Sequence, residues 1–366
     1  MPPGGSPRVA DLGELALLDR IAARVACAGP HPRDVVLGIG DDTAALRWMP
    51  GALVLATTDA LVEGVHFRRA TSASADIGWK ALAINASDIA AMGGIPRYAV
   101  ISLMLPGDLD AAWVDGLYDG LLEMAGEAGV AIVGGNLAQA SVIVVDVTLL
   151  GEVAPDRLVR RTGARPGDLL AVTGTLGRAA AGLVMLESRG GTPGGPPGGP
   201  GAAPDNPALG RLLAAQRRPR PRLREGVALA ETGAVRAMID ISDGLLLDLW
   251  RMCEAGDLGV RLDAGRVPVD PGVAAVVAIA TGGVGEGSRP TLDLALAGGE
   301  DYELLFAVAL EDADRVLHGL VEETGTPATL IGEFTGRGTS RTIVDEDGQV
   351  RSLDPGGWTH FKEDLL

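Results

Sequence analysis

The sequence predicts a two-domain α/β protein, with α+β character where strands follow one another directly. Short runs of Val, Leu and Ile alternate with segments of helical period, the pattern of strands joined by crossover helices. A length of 366 residues is enough for about two domains. The chain changes character after Val153, where an arginine-rich loop runs from Arg157 to Asp168. These features set an N-terminal domain at 11–153 and a C-terminal domain at 154–366. Residues 1–10, rich in Pro and Gly, are expected to be disordered. The Gly/Pro tract at 190–207 is expected to be a flexible surface insertion, and Thr281 to Pro290 a second soft one.

Leu12 to Ala26 reads as an amphipathic helix through Leu15, Leu18, Ile21, Ala22 and Val25, stopped by Gly29-Pro30. Val35-Val36-Leu37 then runs into Gly38-Ile39-Gly40-Asp41-Asp42, where glycines let the backbone turn sharply or approach a ligand. A strand from Ala52 to Thr58 is expected to end at Thr57-Thr58-Asp59. That trio could ligate a hard cation or cap a turn. His66 follows, either as a hydrogen-bonded structural residue or as a substrate contact. Asp76 to Met92 is a helix stopped by Gly93-Gly94-Ile95-Pro96, with Asn85 and Asp88 three apart on one polar face. Next come a strand from Tyr98 to Leu105 and a helix from Leu109 to Ala128. Val130 to Val133 is expected to end in Gly134-Gly135-Asn136, and a strand from Ser141 to Val153 closes the domain.

In the second domain a strand from Leu169 to Thr173 meets Gly174-Thr175-Leu176-Gly177, which opens a helix to about Glu187. Such a start could cradle an anion or simply begin the helix. A helix from Arg222 to Glu231 precedes a strand from Val235 to Ile241. Its end carries Asp240-Ile241-Ser242-Asp243-Gly244, followed by a helix from Leu245 to Glu254. A cap explains one of those two acids, not both. Farther on, Glu300 and Asp301 stand between Gly298-Gly299 and the apolar run Leu304-Leu305-Phe306, a place that favours a site role.

Composition narrows the chemistry. The net charge of −17 and the lack of a long basic run argue against nucleic acid and anionic membranes. Aromatic residues make up 3%, so base stacking is not expected. Lys80 and Lys362 are the only lysines, and neither lies in a phosphate loop of the Gly-Lys-Ser/Thr kind. Cys27 and Cys253 lack metal-ligand spacing, no run is apolar enough to span a bilayer, and no leader pattern is present; the expected location is the cytoplasm. Carboxylates and hydroxyls from several loops, without His or Cys clusters, suit Mg²⁺. Bridging Mg²⁺ ions are how an acidic chain would hold phosphates. The expected activity is therefore Mg²⁺-dependent phosphoryl transfer from ATP.

Seven stretches together resemble the thiamine-monophosphate kinase family, within the superfamily of aminoimidazole-ribonucleotide and selenophosphate synthetases. They are GIGDDTA, TTDALVEGVHF, WKALAINASDIAAMGGIP, RTGARPGD, DISDGL, GGEDYELLF and GGWTHF, spread from residue 38 to residue 361. The resemblance implies a synthetase-like fold whose N-terminal mixed sheet pairs in a homodimer through a β-barrel-like interface, followed by a C-terminal α/β domain. It also implies ATP and metals bound in a cleft. By the matching motifs, Asp42, Thr57, Thr58, Asp59, Asp88, Asp240 and Asp243 look like Mg²⁺ ligands. Tyr118, Gly135, Arg161 and Ser242 look like ATP contacts, and His66, Glu300 and Trp358 look like contacts to thiamine phosphate. A thiazolium or pyrimidine ring would pack on the face of Trp358.

The family usually has Gly-Gly-Asp where this chain has Gly134-Gly135-Asn136. Asn136 offers a metal or nucleotide an oxygen without a charge, implying a weaker or water-mediated site. The implied reaction is direct in-line transfer to thiamine monophosphate, with Arg161 and the Asp set as the catalytic residues. The competing readings are another synthetase of the superfamily and an ATP-binding sensor without turnover. Selenophosphate synthetases carry a reactive Cys near the N-terminal glycines, and hydrogenase-maturation relatives end in Cys; this sequence does neither.

Overall fold

The computed structural model describes residues 6–29, 32–39, 43–190, 206–280, 288–338, 340–345 and 347–358. The chain forms mixed α/β architecture in two compact units. One is built on Met1–Ile89 and Ile95–Pro155, the other on Ala90–Gly94, Asp156–Gly191 and Ala202–Leu366. Among the described residues no helix is long and apolar enough to cross a membrane.

The first unit runs α1 (Val9–Cys27), β1 (Val35–Leu37), β2 (Ala45–Leu46), β3 (Leu53–Val62), α2 (Ser74–Ala91), β4 (Ile95–Leu105), α3 (Ala111–Ala128), β5 (Ala131–Gln139) and β6 (Val144–Val153). A four-stranded sheet has the order β3-β6-β4-β5. β4 and β5, the pair joined by α3, are parallel, as a crossover helix requires, and the other pairs are antiparallel. Val145, Val147 and Leu149 of β6 and Ile101 and Leu103 of β4 are buried on the face that α2 covers. The two helices cross at glycines. A Cβ on Gly120 would fall 1.7 Å from the Ala75 carbonyl oxygen, and one on Gly78 would fall 1.9 Å from that of Leu117. On the other face, β1 and β2 cover one end, packing Val35, Leu46 and Trp48 against Tyr98 and Ala131. Among the described residues the β3 end of that face is uncovered: Val54, Ala56, Thr58 and Ala60 are exposed.

Three expectations change here. Thr57-Thr58-Asp59 lie in mid-strand, because β3 stays in register with β6 as far as Val62 opposite Val144. β-branched Thr suits a strand interior, and Ala60-Leu61-Val62 continue the apolar run. Gly134-Gly135-Asn136 likewise lie within β5, held in register by β4. Ser6 to Ala10, expected to be disordered, are tied down. Val9 N–H donates to the Leu109 carbonyl, Ala111 N–H to that of Pro7, and Ala112 N–H to Ser6 Oγ. The expectation for residues 1–5 lies outside the described residues.

The second unit runs β7 (Leu169–Thr173), α4 (Arg178–Gly190), α5 (Pro207–Arg217), α6 (Leu223–Glu231), β8 (Val235–Asp240), α7 (Leu245–Gly256), β9 (Gly259–Asp263), α8 (Pro271–Ala280), α9 (Ser288–Ala297), β10 (Leu304–Val308), α10 (Ala313–Thr324), β11 (Ala328–Thr335), β12 (Arg341–Val344) and β13 (Val350–Ser352). Its seven-stranded sheet has the order β13-β12-β9-β11-β7-β10-β8. Leu305 and Ala307 of β10 join a core with Leu245, Leu249 and Met252 of α7. Leu304, Phe306 and Val308 join a second core with α6 and α10. All five residues of β10 are buried, as expected of a strand covered on both faces. The expected insertion falls on the junction of α4 and α5, and residues 191–205 lie outside the described residues, as do 281–287 of the second.

Candidate active site

In the first unit, alternation along β3 sorts the expected ligands onto two faces. Thr57 and Asp59 point to the helix side, where Thr57 Oγ1 donates to Asp88 Oδ2 of α2 at 2.5 Å. Thr58 points to the uncovered side, donating to Asp146 Oδ1 at 2.9 Å and lying 3.3 Å from the Thr148 hydroxyl. Asn136 also faces the uncovered side, through the pairing of Ser102 with both Asn136 and Asp146. It stands on the opposite edge strand from Thr58, three strand spacings or roughly 14 Å away. Within this unit the structure therefore joins Thr57 with Asp88 and separates Thr58 from Asn136. Asp42 lies outside the described residues.

Asn85, expected on a polar face with Asp88, is fully buried and donates to the Ala81 carbonyl of its own helix at 3.0 Å. His66 Nδ1 accepts from Val62 N–H at 3.0 Å, so the neutral ring carries its proton on Nε2. Tyr118 is buried on α3, and burial raises its hydroxyl pKa, keeping it protonated. Gly135 passes so close to β4 that a Cβ would fall 2.2 Å from the Ile101 carbonyl oxygen.

In the second unit three separate motifs converge. Glu300 N–H donates to the Ser242 carbonyl at 2.8 Å and Tyr302 N–H to that of Ile241 at 2.9 Å. Trp358 N–H donates to the Asp243 carbonyl at 3.0 Å. These bonds lace Ser242, Asp243, Glu300 and Trp358 around the turn between β8 and α7, next to Asp240 at the end of β8. Close approach needs glycine at two places: a Cβ on Gly299 would lie 2.6 Å from Ser242 O, and one on Gly357 would lie 2.5 Å from Asp243 O. Glu300 and Tyr302 themselves adopt left-handed backbone, with φ of 69° and 50°. Non-glycine residues rarely do so, and such strain gathers at functional sites.

The turn has supports that sequence reading did not name. Asp248 of α7 reaches back so that its Oδ2 accepts from Ser242 N–H and Asp243 N–H at 3.1 and 3.0 Å. Neither Ser242 nor Asp243 caps α7: its N-cap is Gly244, with no side-chain cap hydrogen bond, and the Asp243 carboxylate meets Arg251 at 2.6 Å. Burial pushes the Asp248 pKa up to about 6, against the pull of those N–H bonds and of Arg251. A spacing of one helical turn beyond the Asp-Gly pair was the available signal. Arg161 is exposed in its loop, which is pinned to β8 where Met238 N–H donates to the Arg160 carbonyl at 2.9 Å.

Asp301, which with Glu300 was expected to have a site role, is bound within the fold, and so is the neighbouring acid Glu303. Asp301 accepts from Gly177 N–H at 2.7 Å and Ala179 N–H at 3.2 Å, so the anion at the start of α4 is the protein's own. Burial pushes its pKa up to about 7, with Glu303 adding to the rise and the N–H bonds and Arg178 opposing it. Glu303, fully buried, accepts from Thr173 at 2.7 Å and from Arg178 and Arg222 at 2.6 Å. Burial works against the Arg222 charge, but Glu303 and Glu225 hold its pKa above the usual value.

Residues 40–153 match the family AIR synthase related protein, N-terminal domain, and residues 165–345 match AIR synthase related protein, C-terminal domain. Thiamine-monophosphate kinase of Escherichia coli (strain K12) is 34% identical over 349 residues, covering 95% of this chain and 98% of its own. The chain belongs to the thiamine-monophosphate kinase family. Among solved structures, the family member from Stenotrophomonas maltophilia K279a aligns with a TM-score of 0.75 at 33% identity, covering 92% of this chain and 97% of that one. The structure described as "AaThiL complexed with AMPPCP and TMP" aligns with a TM-score of 0.69 at 30% identity, covering 98% and 100%. That family member thus carries an ATP analogue and TMP together.

Proposed function

We propose that the chain is a thiamine-monophosphate kinase: it transfers the γ-phosphoryl group of ATP to the phosphate of thiamine monophosphate, giving ADP and thiamine diphosphate. The observation that carries this reading is the lacing of Glu300, Ser242, Asp243 and Trp358 around one turn. It brings together the residues expected to meet metal, nucleotide and the thiamine ring in a chain of this family.

The acceptor is a phosphate oxygen, already ionised at neutral pH, so no strong general base is needed. The obstacle is repulsion between two anionic substrates. Arg161, exposed in its loop, would stabilise charge on the phosphoryl group in flight. His66 would donate from Nε2 to an oxygen of the acceptor, and Glu300 and Trp358 would orient the thiamine portion. Tyr118 and the side-chain-free strand at Gly135 are assigned to the nucleotide side, and Ser242 to nucleotide contact.

The donor set fits Mg²⁺. Asp42, Thr57, Thr58, Asp59, Asp88, Asn136, Asp240 and Asp243 offer only oxygens. Among the described residues no three His, Cys, Asp or Glu groups close on one point. Mg²⁺ is content with such a set, because it keeps waters and takes substrate phosphates as ligands. Held by members of this set, Mg²⁺ would supply the charge that screens the phosphates from each other and from the carboxylates.

The homodimer is part of the same proposal. Exposed Val54 and Ala56, on one face of edge strand β3, leave an apolar sheet surface suited to a second copy. Two free thiols, Cys27 exposed and Cys253 buried, suit a reducing cytoplasm. The deciding experiment is product analysis with ATP, Mg²⁺ and thiamine monophosphate. Thiamine diphosphate should form, vanish with chelator, and not form from free thiamine. ATP binding without diphosphate would replace this reading with that of a nucleotide sensor.

A further inference from the structure

Gln216 sits in the last turn of α5 and is 6% exposed. Its Nε2 donates to Glu300 Oε2 at 2.6 Å, the short distance of a charge-assisted bond. Its Oε1 is buried and has no hydrogen-bond partner among the described residues. Rotating the amide does not cure this. It would set Oε1 against the Glu300 carboxylate and bury two unpartnered N–H groups instead. The side chain is thus held with its donor end satisfied and its acceptor end stranded, which costs stability. α5 itself is fixed on α4, where a Cβ on Gly182 would fall 2.2 Å from the Leu212 carbonyl oxygen and 2.9 Å from Gln216 Cβ. Glu300, at the other end of the bond, stands on left-handed backbone anchored to Ser242.

A polar residue kept in a buried place at a cost to the fold is kept for what its other end does. We propose that Gln216 is a positioning residue. By donating to Oε2 it fixes the Glu300 carboxylate, so that this group presents a defined acceptor to a substrate N–H donor of the aminopyrimidine class. The inference rests on the thiamine-monophosphate kinase reading, in which Glu300 touches the thiamine portion.

The test is steady-state kinetics and thermal melting of full-length Gln216→Met, Gln216→Glu, Glu300→Gln and the Gln216→Met/Glu300→Gln double variant. Met matches the shape of Gln while removing both the donor and the stranded oxygen. Gln216→Met should melt at the same temperature as the parent or higher, yet raise KM for thiamine monophosphate about tenfold. Its kcat and its KM for ATP should stay unchanged. Gln216→Glu places a like charge against Glu300 and should raise that KM further. In the Glu300→Gln background, Gln216→Met should add nothing. If Gln216→Met leaves KM unchanged while Glu300→Gln raises it, the positioning role is wrong and the substrate role of Glu300 stands. If Glu300→Gln itself leaves KM unchanged while thiamine diphosphate still forms, the role of Glu300 fails and the inference falls with it. A lower melting temperature for Gln216→Met, with kcat and both KM values disturbed together, makes Gln216 an ordinary structural residue and also overturns the inference.

Discussion

The Thr57 hydroxyl and Asp88 carboxylate, 31 residues apart in sequence, meet across β3 and α2, and both are proposed ligands of the cation. Asp88→Asn keeps the shape and the hydrogen bond but removes the charge. It should lower kcat about 100-fold or more while leaving circular dichroism and melting temperature near the parent's; an ADP-release assay reads the rate. Asp301 is the opposite kind of acid. Its pKa rises from 3.8 unfolded to about 7 folded, so the folded state holds the proton more tightly. The stability this contributes is complete below the unfolded value and is lost as pH rises through about 7. Urea midpoints measured from pH 5 to pH 8 should therefore fall less steeply for Asp301→Asn than for the parent. At this scale the sequence was legible where a motif marks a turn, as in Asp240-Ile241-Ser242-Asp243, whose carbonyls the structure joins to Glu300 and Trp358. It was not legible where a partner arrives from elsewhere. Nothing local says that Asp301 binds the start of α4, or that Glu303 is neutralised by Arg178 and Arg222.

Helices and strands were read from period and punctuation, and most agree with the structure to within a few residues, as α2 and α7 do. Two strand ends fail for one cause. β3 and β5 run past their expected ends because pairing with β6 and β4 overrides the Asp and Gly that look like stop signals. Nothing in the sequence marks α5, a short stretch between a low-complexity tract and an Arg/Pro run, and β2, β9, α8, α10, β11, β12 and β13 were likewise not anticipated. Glycine in α3 carries two meanings that sequence alone does not separate. Gly120 is a contact point with α2, whereas nothing lies within 4 Å of a Cβ built on Gly126. Gly120→Ala should destabilise by about 3 kcal/mol or more, the cost of overpacking against backbone. Gly126→Ala should stabilise by up to about 1 kcal/mol, the helix-propensity gain. Chemical denaturation of the pair checks both, and equal effects of the same sign would refute this account of the α2–α3 crossing.

For the molecule as a whole, the uncovered side of the first sheet is where assembly is to be tested. Val54 is 52% exposed on edge strand β3, with Ala56, Thr58 and Ala60 on the same face. Sedimentation equilibrium should give a dimer, and Val54→Arg should give a monomer that still melts cooperatively. A parent that sediments as a monomer would leave this face without the proposed partner. The turn that gathers Trp358 has a further, optical consequence. Of the five tryptophans, Trp79 is 2% exposed, buried on α2, while Trp358 is 38% exposed beside Asp243. The two should therefore emit at different wavelengths, the first blue-shifted and sensitive to unfolding, the second red-shifted and open to contact by an aromatic cation. Titrating thiamine monophosphate should quench the red component alone, and Trp358→Phe should abolish that response, giving the protein a built-in lamp for the moment its substrate arrives.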